Sequence, residues 1–174
     1  YRDLFIEAFS NIWYKNADSD LYNQLILKAN IKWRDMVILR AFARYMKQIS
    51  FGLSQHYIAQ TLIKNTGLAS DIVKLFHLKF DPKIEDSQKD QIILIENIEA
   101  KLENVENLNE DRILRKYIEL IKATLRTNFY QTKAGGELKE YVSIKISPRD
   151  IDDIPEPRPL FEIFVYSPRV EGVH

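Results

Sequence analysis

The chain has 174 residues, no cysteine, and 25 Lys and Arg balanced by 25 Asp and Glu; 45% of its residues are hydrophobic. These totals exclude a disordered chain, a disulfide scaffold, a thiolate metal site and a cysteine nucleophile, and the balanced charge argues against broad capture of nucleic acid or anionic lipid. No apolar run approaches the roughly 18 residues of a membrane span and Tyr1-Arg2-Asp3 opens no signal peptide, so the chain reads as soluble and cytoplasmic, with one compact domain or one and a half.

From Asp3 to Tyr130 there are two glycines and one proline, and apolar residues recur at helical spacing. Leu4, Phe5, Ala8, Phe9, Ile12 and Trp13 follow the i, i+4, i+8 rule as one apolar stripe, ended by Lys15-Asn16-Ala17-Asp18. Asp18 or Ser19 is the expected cap of a helix running to about Ala29 through Leu21, Leu25 and Ile26. The next helix, Trp33 to about Ile49, is apolar on most sides and sets Val37, Arg40 or Ala41, Arg44 and Gln48 along adjacent rows. Ser54 is the expected N-cap of Gln55 to Asn65, with Gly67 as a left-handed C-terminal residue. A short helix follows to about Phe80, where Asp81-Pro82 breaks the pattern.

Ser87 to Val105 resumes the helical period with Ile92, Ile95, Ile98 and Leu102, and Glu96, Glu99 and Glu103 on the wet side. Asn109 is the expected cap of the last long helix, whose apolar face is Ile113, Leu114, Tyr117, Ile118, Ile121 and Leu125; Glu110 and Asp111 near its start and Arg126 near its end complement the dipole. After the Gly135-Gly136 turn the period changes to two, predicting a strand over Tyr141 to Ile146, a stiff linker from Ser147 to Pro159, and a second strand over Leu160 to Tyr166. Alternation with Phe161, Ile163 and Val165 turns Glu162 to the opposite, solvent-facing side.

The chemistry-bearing motifs are sparse. His56, His77 and His174 form no two-ligand helical pattern, so a solvated His56 and a packed or surface His77 are expected. No Gly-x-Ser-x-Gly elbow, Ser-x-x-Lys pair, Walker loop or Gly-x-Gly-x-x-Gly unit occurs. Arg34, Arg40 and Arg44 near Trp33 and Tyr45 have the look of a nucleic-acid helix, but in a neutral chain they are expected to pair with carboxylates on neighbouring helices. Asp150, Asp152 and Asp153 lack the spacing of a calcium loop and read as a solvated turn. Pro155 to Pro159 reads as a spacer rather than a ligand for an SH3-type groove, and Arg169, Glu171 and His174 are the best candidates for a site near a sheet edge.

The run from Pro155 through Leu160-Phe161-Glu162-Ile163-Phe164-Val165-Tyr166-Ser167-Pro168-Arg169-Val170-Glu171-Gly172-Val173-His174 resembles the opening of the catalytic region of the large bacterial NAD-specific glutamate dehydrogenases. Asp111 to Arg115, Ala123 to Tyr130, Leu39 to Tyr45, Ser54 to Ile58 and Phe80-Asp81-Pro82 resemble the same family in the same order, while Lys83 to Leu108 carries little resemblance. The resemblance implies an oxidoreductase acting on the CH–NH2 group of L-glutamate, giving 2-oxoglutarate and ammonia with NAD as hydride acceptor. It also implies partners in the remaining domains of a longer chain and in a homo-oligomer, with no nucleic acid and no membrane.

The family's catalytic lysine and aspartate and its dinucleotide domain have no counterpart here, so no catalytic, cofactor-binding or metal residue is assigned and no cofactor is expected on this segment alone. The chain opens without methionine and stops at Val173-His174 straight after a strand-like run, which gives the expectation of an inactive piece of a longer protein. The expected architecture is α+β and mostly α: a multi-helix bundle of about six helices over residues 1–133, and over 134–174 a small β segment, the truncated start of a substrate-binding domain. The competing expectation is a free-standing helical module that binds another protein through an apolar helix face or the proline segment.

Overall fold

The computed structural model describes residues 2–14 and 18–174, so the expectation for Lys15, Asn16 and Ala17 lies outside the described residues. Seven helices stand among them: α1 (Arg2–Trp13), α2 (Gln24–Lys28), α3 (Trp33–Gln48), α4 (Gln55–Lys64), α5 (Thr66–Phe80), α6 (Gln88–Leu102) and α7 (Leu108–Ala123). Four strands follow, β1 (Thr124–Thr127), β2 (Val142–Ile146), β3 (Glu162–Tyr166) and β4 (Glu171–Val173), in one antiparallel sheet of order β1-β2-β3-β4. The α+β, mostly α class is the observed one.

Side-chain caps mark the starts of α4, α7 and the turn before α2, the last two shifted by one or two residues from expectation. Ser54 caps α4 by accepting from the Tyr57 amide. The turn before α2 is capped by Asp20, not Asp18 or Ser19, because the Asp18 carboxylate accepts from the Tyr166 hydroxyl instead. Asn107, not Asn109, caps α7, its Oδ1 accepting from the Asn109 and Glu110 amides at 2.9 and 3.1 Å. Gly67 is no left-handed terminus. Asn65 turns the chain at an ordinary negative φ, its amide nitrogen returning to the Thr61 carbonyl, so α5 starts at once and runs 15 residues rather than a short stretch.

The apolar face of α7 is buried from Ile113 to Ile121, but the helix ends at Ala123. β-branched Thr124 turns the backbone extended, so Leu125 and Arg126 belong to β1; the register shift between Thr124 and Arg126 leaves Leu125 as a half-exposed bulge residue. Asn128 then closes the hairpin to β2, accepting from the Ser143 amide at 2.7 Å and donating to the Tyr141 carbonyl. At the hairpin tip Gly136 takes φ +83, the left-handed turn that favours glycine.

One core joins helices and sheet. Phe42 on α3 meets Phe76 and Tyr117 edge to face, and Tyr45 one turn on meets Phe164 of β3 with ring centroids 5.5 Å apart. The sheet's inner face is Val142, Ile144, Ile146, Phe164 and Tyr166, all buried. Strand parity therefore sets Glu162 inward with Phe164 and Tyr166, which corrects the solvent-facing expectation; Ile163 and Val165 lie half-covered on the outer face. The α1 stripe also divides: Ala8 is buried, while Phe5, Phe9 and Trp13 stack on one another in the open.

Candidate functional site: the seam between helices and sheet

Helix α3 has the sheet on one side and α4 and α5 on another, so it carries polar groups that only a precise partner can satisfy. The Tyr45 hydroxyl donates to Glu162 Oε2 at 2.7 Å, joining α3 to β3. The Tyr166 hydroxyl donates to Asp18, joining β3 to the segment before α2. Arg44 reaches Glu171 of β4 at 3.5 Å. Burial, reinforced by the adjoining carboxylates, pushes the Tyr45 and Tyr166 phenols well above the ordinary tyrosine range, so both stay neutral donors.

Beneath the seam lies Arg40, only 3% exposed, with Nε and Nη2 donating to Asp20 at 2.8 and 2.7 Å and Nη2 also to Asn23 at 2.7 Å. This fork satisfies a buried guanidinium and ties the turn before α2 to α3. Nearby, Tyr117 donates to the Leu39 carbonyl at 2.9 Å. The proline linker is seated as well: Asp152 donates its amide to Glu119 of α7, its carbonyl accepts from Lys116, and Ile151 and Ile154 are buried.

The sequence candidates separate. Arg40 and Arg44 do pair with carboxylates, but on a turn and a strand rather than on helices; Arg34 makes no ion pair among the described residues and instead covers the Phe129 ring at 4.8 Å. Arg169, Glu171 and His174 do not form one cluster. Arg169 sits in the turn before β4, Glu171 turns to Arg44, and His174 lies an odd number of residues on, hence on the other side of the strand, its backbone paired with Ile163. Asp150, Asp152, Asp153 and His56 are exposed.

His77 has partners that the sequence concealed. Its Nε2 lies 3.0 Å from Asp35 on α3 and its Nδ1 lies 2.5 Å from the Tyr130 hydroxyl, linking α3, α5 and the segment after β1. With the ring proton on Nε2 and donated to the Asp35 carboxylate, Nδ1 accepts from the Tyr130 hydroxyl. Burial, with Asp81 and Asp35 adding to it, holds the Tyr130 phenol above its ordinary range, so the trio contains a neutral phenol rather than an activated nucleophile and serves as a clasp.

Two family models match the chain: "Bacterial NAD-glutamate dehydrogenase, catalytic domain" over residues 97–174, and "Glutamate dehydrogenase, helical motif 3" over residues 17–82. The seam is where the two matched stretches meet: α3 lies in the second, β2 to β4 in the first. The NAD-specific glutamate dehydrogenase of Halomonas elongata is 50% identical over 99% of the chain, that of Pseudomonas aeruginosa 48% over 99%, and that of Mycobacterium tuberculosis 38% over 98%. The chain spans 11% of the length of each of these relatives, and so corresponds to a fragment of them. The chain belongs to the bacterial NAD-glutamate dehydrogenase family.

Proposed function

We propose that this segment positions the opening strands of the catalytic region in an enzyme that converts L-glutamate, NAD and water to 2-oxoglutarate, ammonia and NADH. The observation that carries the reading is the Tyr45 to Glu162 hydrogen bond, flanked by Tyr166 to Asp18 and Arg44 to Glu171, which fixes β3 and β4 against α3. A strand held this way is a rigid support for a substrate domain that closes on its ligand. In the same proposal residues 1–133 act as the helical domain and 134–174 as the strand-bearing start of the substrate-binding domain, although β1 (Thr124–Thr127) already contributes its edge to the sheet. The working protein is proposed to be a cytoplasmic homo-oligomer, and among the described residues no helix is long and apolar enough to cross a membrane.

The relatives' names include NAD, and the described residues do not fit that group. Their strands pair only antiparallel, Gly135 and Gly136 lie in an exposed hairpin tip, and Gly172 lies in an edge strand, so no glycine-rich turn feeds a helix from a parallel strand. No step through NAD is assigned to these residues.

The test is glutamate-dependent NAD reduction by the intact protein, wild type and with Glu162→Leu plus Arg44→Ala. Positioning predicts a fall in kcat/KM of tenfold or more with the helical core still folded by circular dichroism. Unchanged kinetics in the double variant would remove the positioning role, and absence of glutamate-dependent reduction in the wild type would remove the dehydrogenase reading.

A further inference from the structure

A cleft of about 570 Å³ opens between the first turn of α3, the hairpin of residues 131–141 and the turn of residues 167–170, away from the Arg40 and Tyr45 contacts described above. That volume lies within the range of small-molecule sites. Its charge is unbalanced. Four cationic side chains line it, Arg34, Lys133, Lys139 and Arg169, against two carboxylates, Glu137 and Glu140. Glu140 is already engaged by Lys133 at 2.5 Å, and Lys139 donates to the neutral Gln131 side chain at 2.8 Å.

Arg34 and Arg169 make no direct ion pair among the described residues, although Asp35 lies beside the first and Glu140 near the second. Arg34 is the more telling of the two. Its Nη2 donates to the Phe129 carbonyl at 3.3 Å and its plane lies over the Phe129 ring, yet its Nε is buried with no hydrogen-bond partner. Burial also lowers its pKa from the ordinary arginine value, and the neighbouring Asp35 offsets this only in part. Arg34 nonetheless lines the cleft, and a guanidinium held partly out of water gains from an anion brought against its accessible edge. Trp33 and Tyr141 add flat walls to the same cleft.

We propose that this cleft binds a small molecule bearing two anionic groups, carboxylates or phosphates, one held by the guanidinium of Arg34 and the other by that of Arg169. Guanidinium forks suit both group types, and two forks from separate elements select a dianion over a monoanion. The proposal stands independently of the dehydrogenase reading.

The test is isothermal titration of the intact protein with citrate and with inorganic pyrophosphate at matched ionic strength, with acetate and chloride as monoanion controls. At least one of these polyanions is expected to bind; citrate alone identifies a carboxylate site and pyrophosphate alone a phosphate site. Arg169→Gln, at an exposed turn position where folding is not at stake, should weaken that binding tenfold or more, and Arg34→Lys should do the same, whereas Lys89→Gln on α6 should leave it unchanged. The proposal is overturned if neither polyanion binds above the monoanion controls, or if Arg169→Gln binds as the wild type does.

Discussion

Helices α1 and α3 both carry aromatic residues at helical spacing, i, i+4 on α1 and i, i+3 on α3, yet their fates are opposite. On α3 Phe42, Tyr45 and Met46 are fully buried, because helices cover one side and the sheet another. On α1 Phe5, Phe9 and Trp13 stack at 6.3 and 6.1 Å and remain at least half exposed, because α2 and α3 lie alongside the row containing Ala8. Periodicity identifies a helix and its apolar row; the number of layers around it decides how much of that row is removed from water.

The largest expected effect that separates inner from outer surface is alkaline unfolding. Burial raises the phenols of Tyr22, Tyr45, Tyr117, Tyr130 and Tyr166, Tyr22 to about 12. Above pH 10 the unfolded chain loses these protons while the folded chain retains them, so the unfolded state binds fewer protons and stability falls as pH rises. Tyr22 alone, almost wholly buried, removes about 2 to 3 kcal/mol by pH 12, and the other four act in the same direction. Lys79, held down to about 8 by burial, acts oppositely, raising stability between pH 8 and its unfolded value near 10.5. Tyrosinate absorbance at 295 nm from these five buried phenols should therefore appear in one jump, together with loss of helical circular dichroism. A single smooth titration with no cooperative step would contradict the buried placement.

Next in size is Arg40→Ala. It leaves Asp20 and Asn23 facing a cavity where a bidentate fork had been, at a cost of about 3 kcal/mol in chemical denaturation. Lys89→Ala on the exposed surface of α6 should move the midpoint hardly at all. Equal effects would mean that the fork is not what ties the turn before α2 to α3.

Much of this contrast is legible in sequence and some is not. The all-round apolar character of α3, the Ser54 cap, the break at Asp81-Pro82 and the two central strands follow from local patterns. Strands β1 and β4 escape because four and three residues carry too little alternation, and β1 is spliced directly to a helix whose apolar period runs on through Leu125. Glu162 is misassigned because Ile163 and Val165 look more apolar than the Glu and Tyr beside them; Tyr45 and Asp18, distant in sequence, satisfy the polar tips that point inward. The His77 clasp draws on residues 42 and 53 positions away, and the Arg34 to Arg169 cleft on elements from opposite ends of the chain, so no spacing rule reaches either.

Tyr45→Phe sharpens the comparison at smaller scale, since it removes one hydroxyl and keeps the ring against Phe164. Loss of the hydrogen bond to the Glu162 carboxylate should cost about 1 to 2 kcal/mol. A double-mutant cycle with Glu162→Gln should return a coupling of about 1 kcal/mol. Zero coupling would show that the two side chains do not hold the seam together.

The smallest effect belongs to α1. Trp13 is 72% exposed and stacks on Phe9, itself exposed, so its indole leaves little water behind when the chain folds. Trp13→Ala should therefore change stability by less than about 0.5 kcal/mol in urea, despite removing the largest side chain type, whereas Phe42→Ala should cost about 3 to 5 kcal/mol. A loss above about 1 kcal/mol for Trp13→Ala would mean that the outer stack stabilises α1 by ring-on-ring contact alone, a magnitude that aromatic pairs reach when well packed. It would also mean that exposure understates what an aromatic row contributes, and the division between inner and outer helices would then rest on the sheet contacts of α3 rather than on burial.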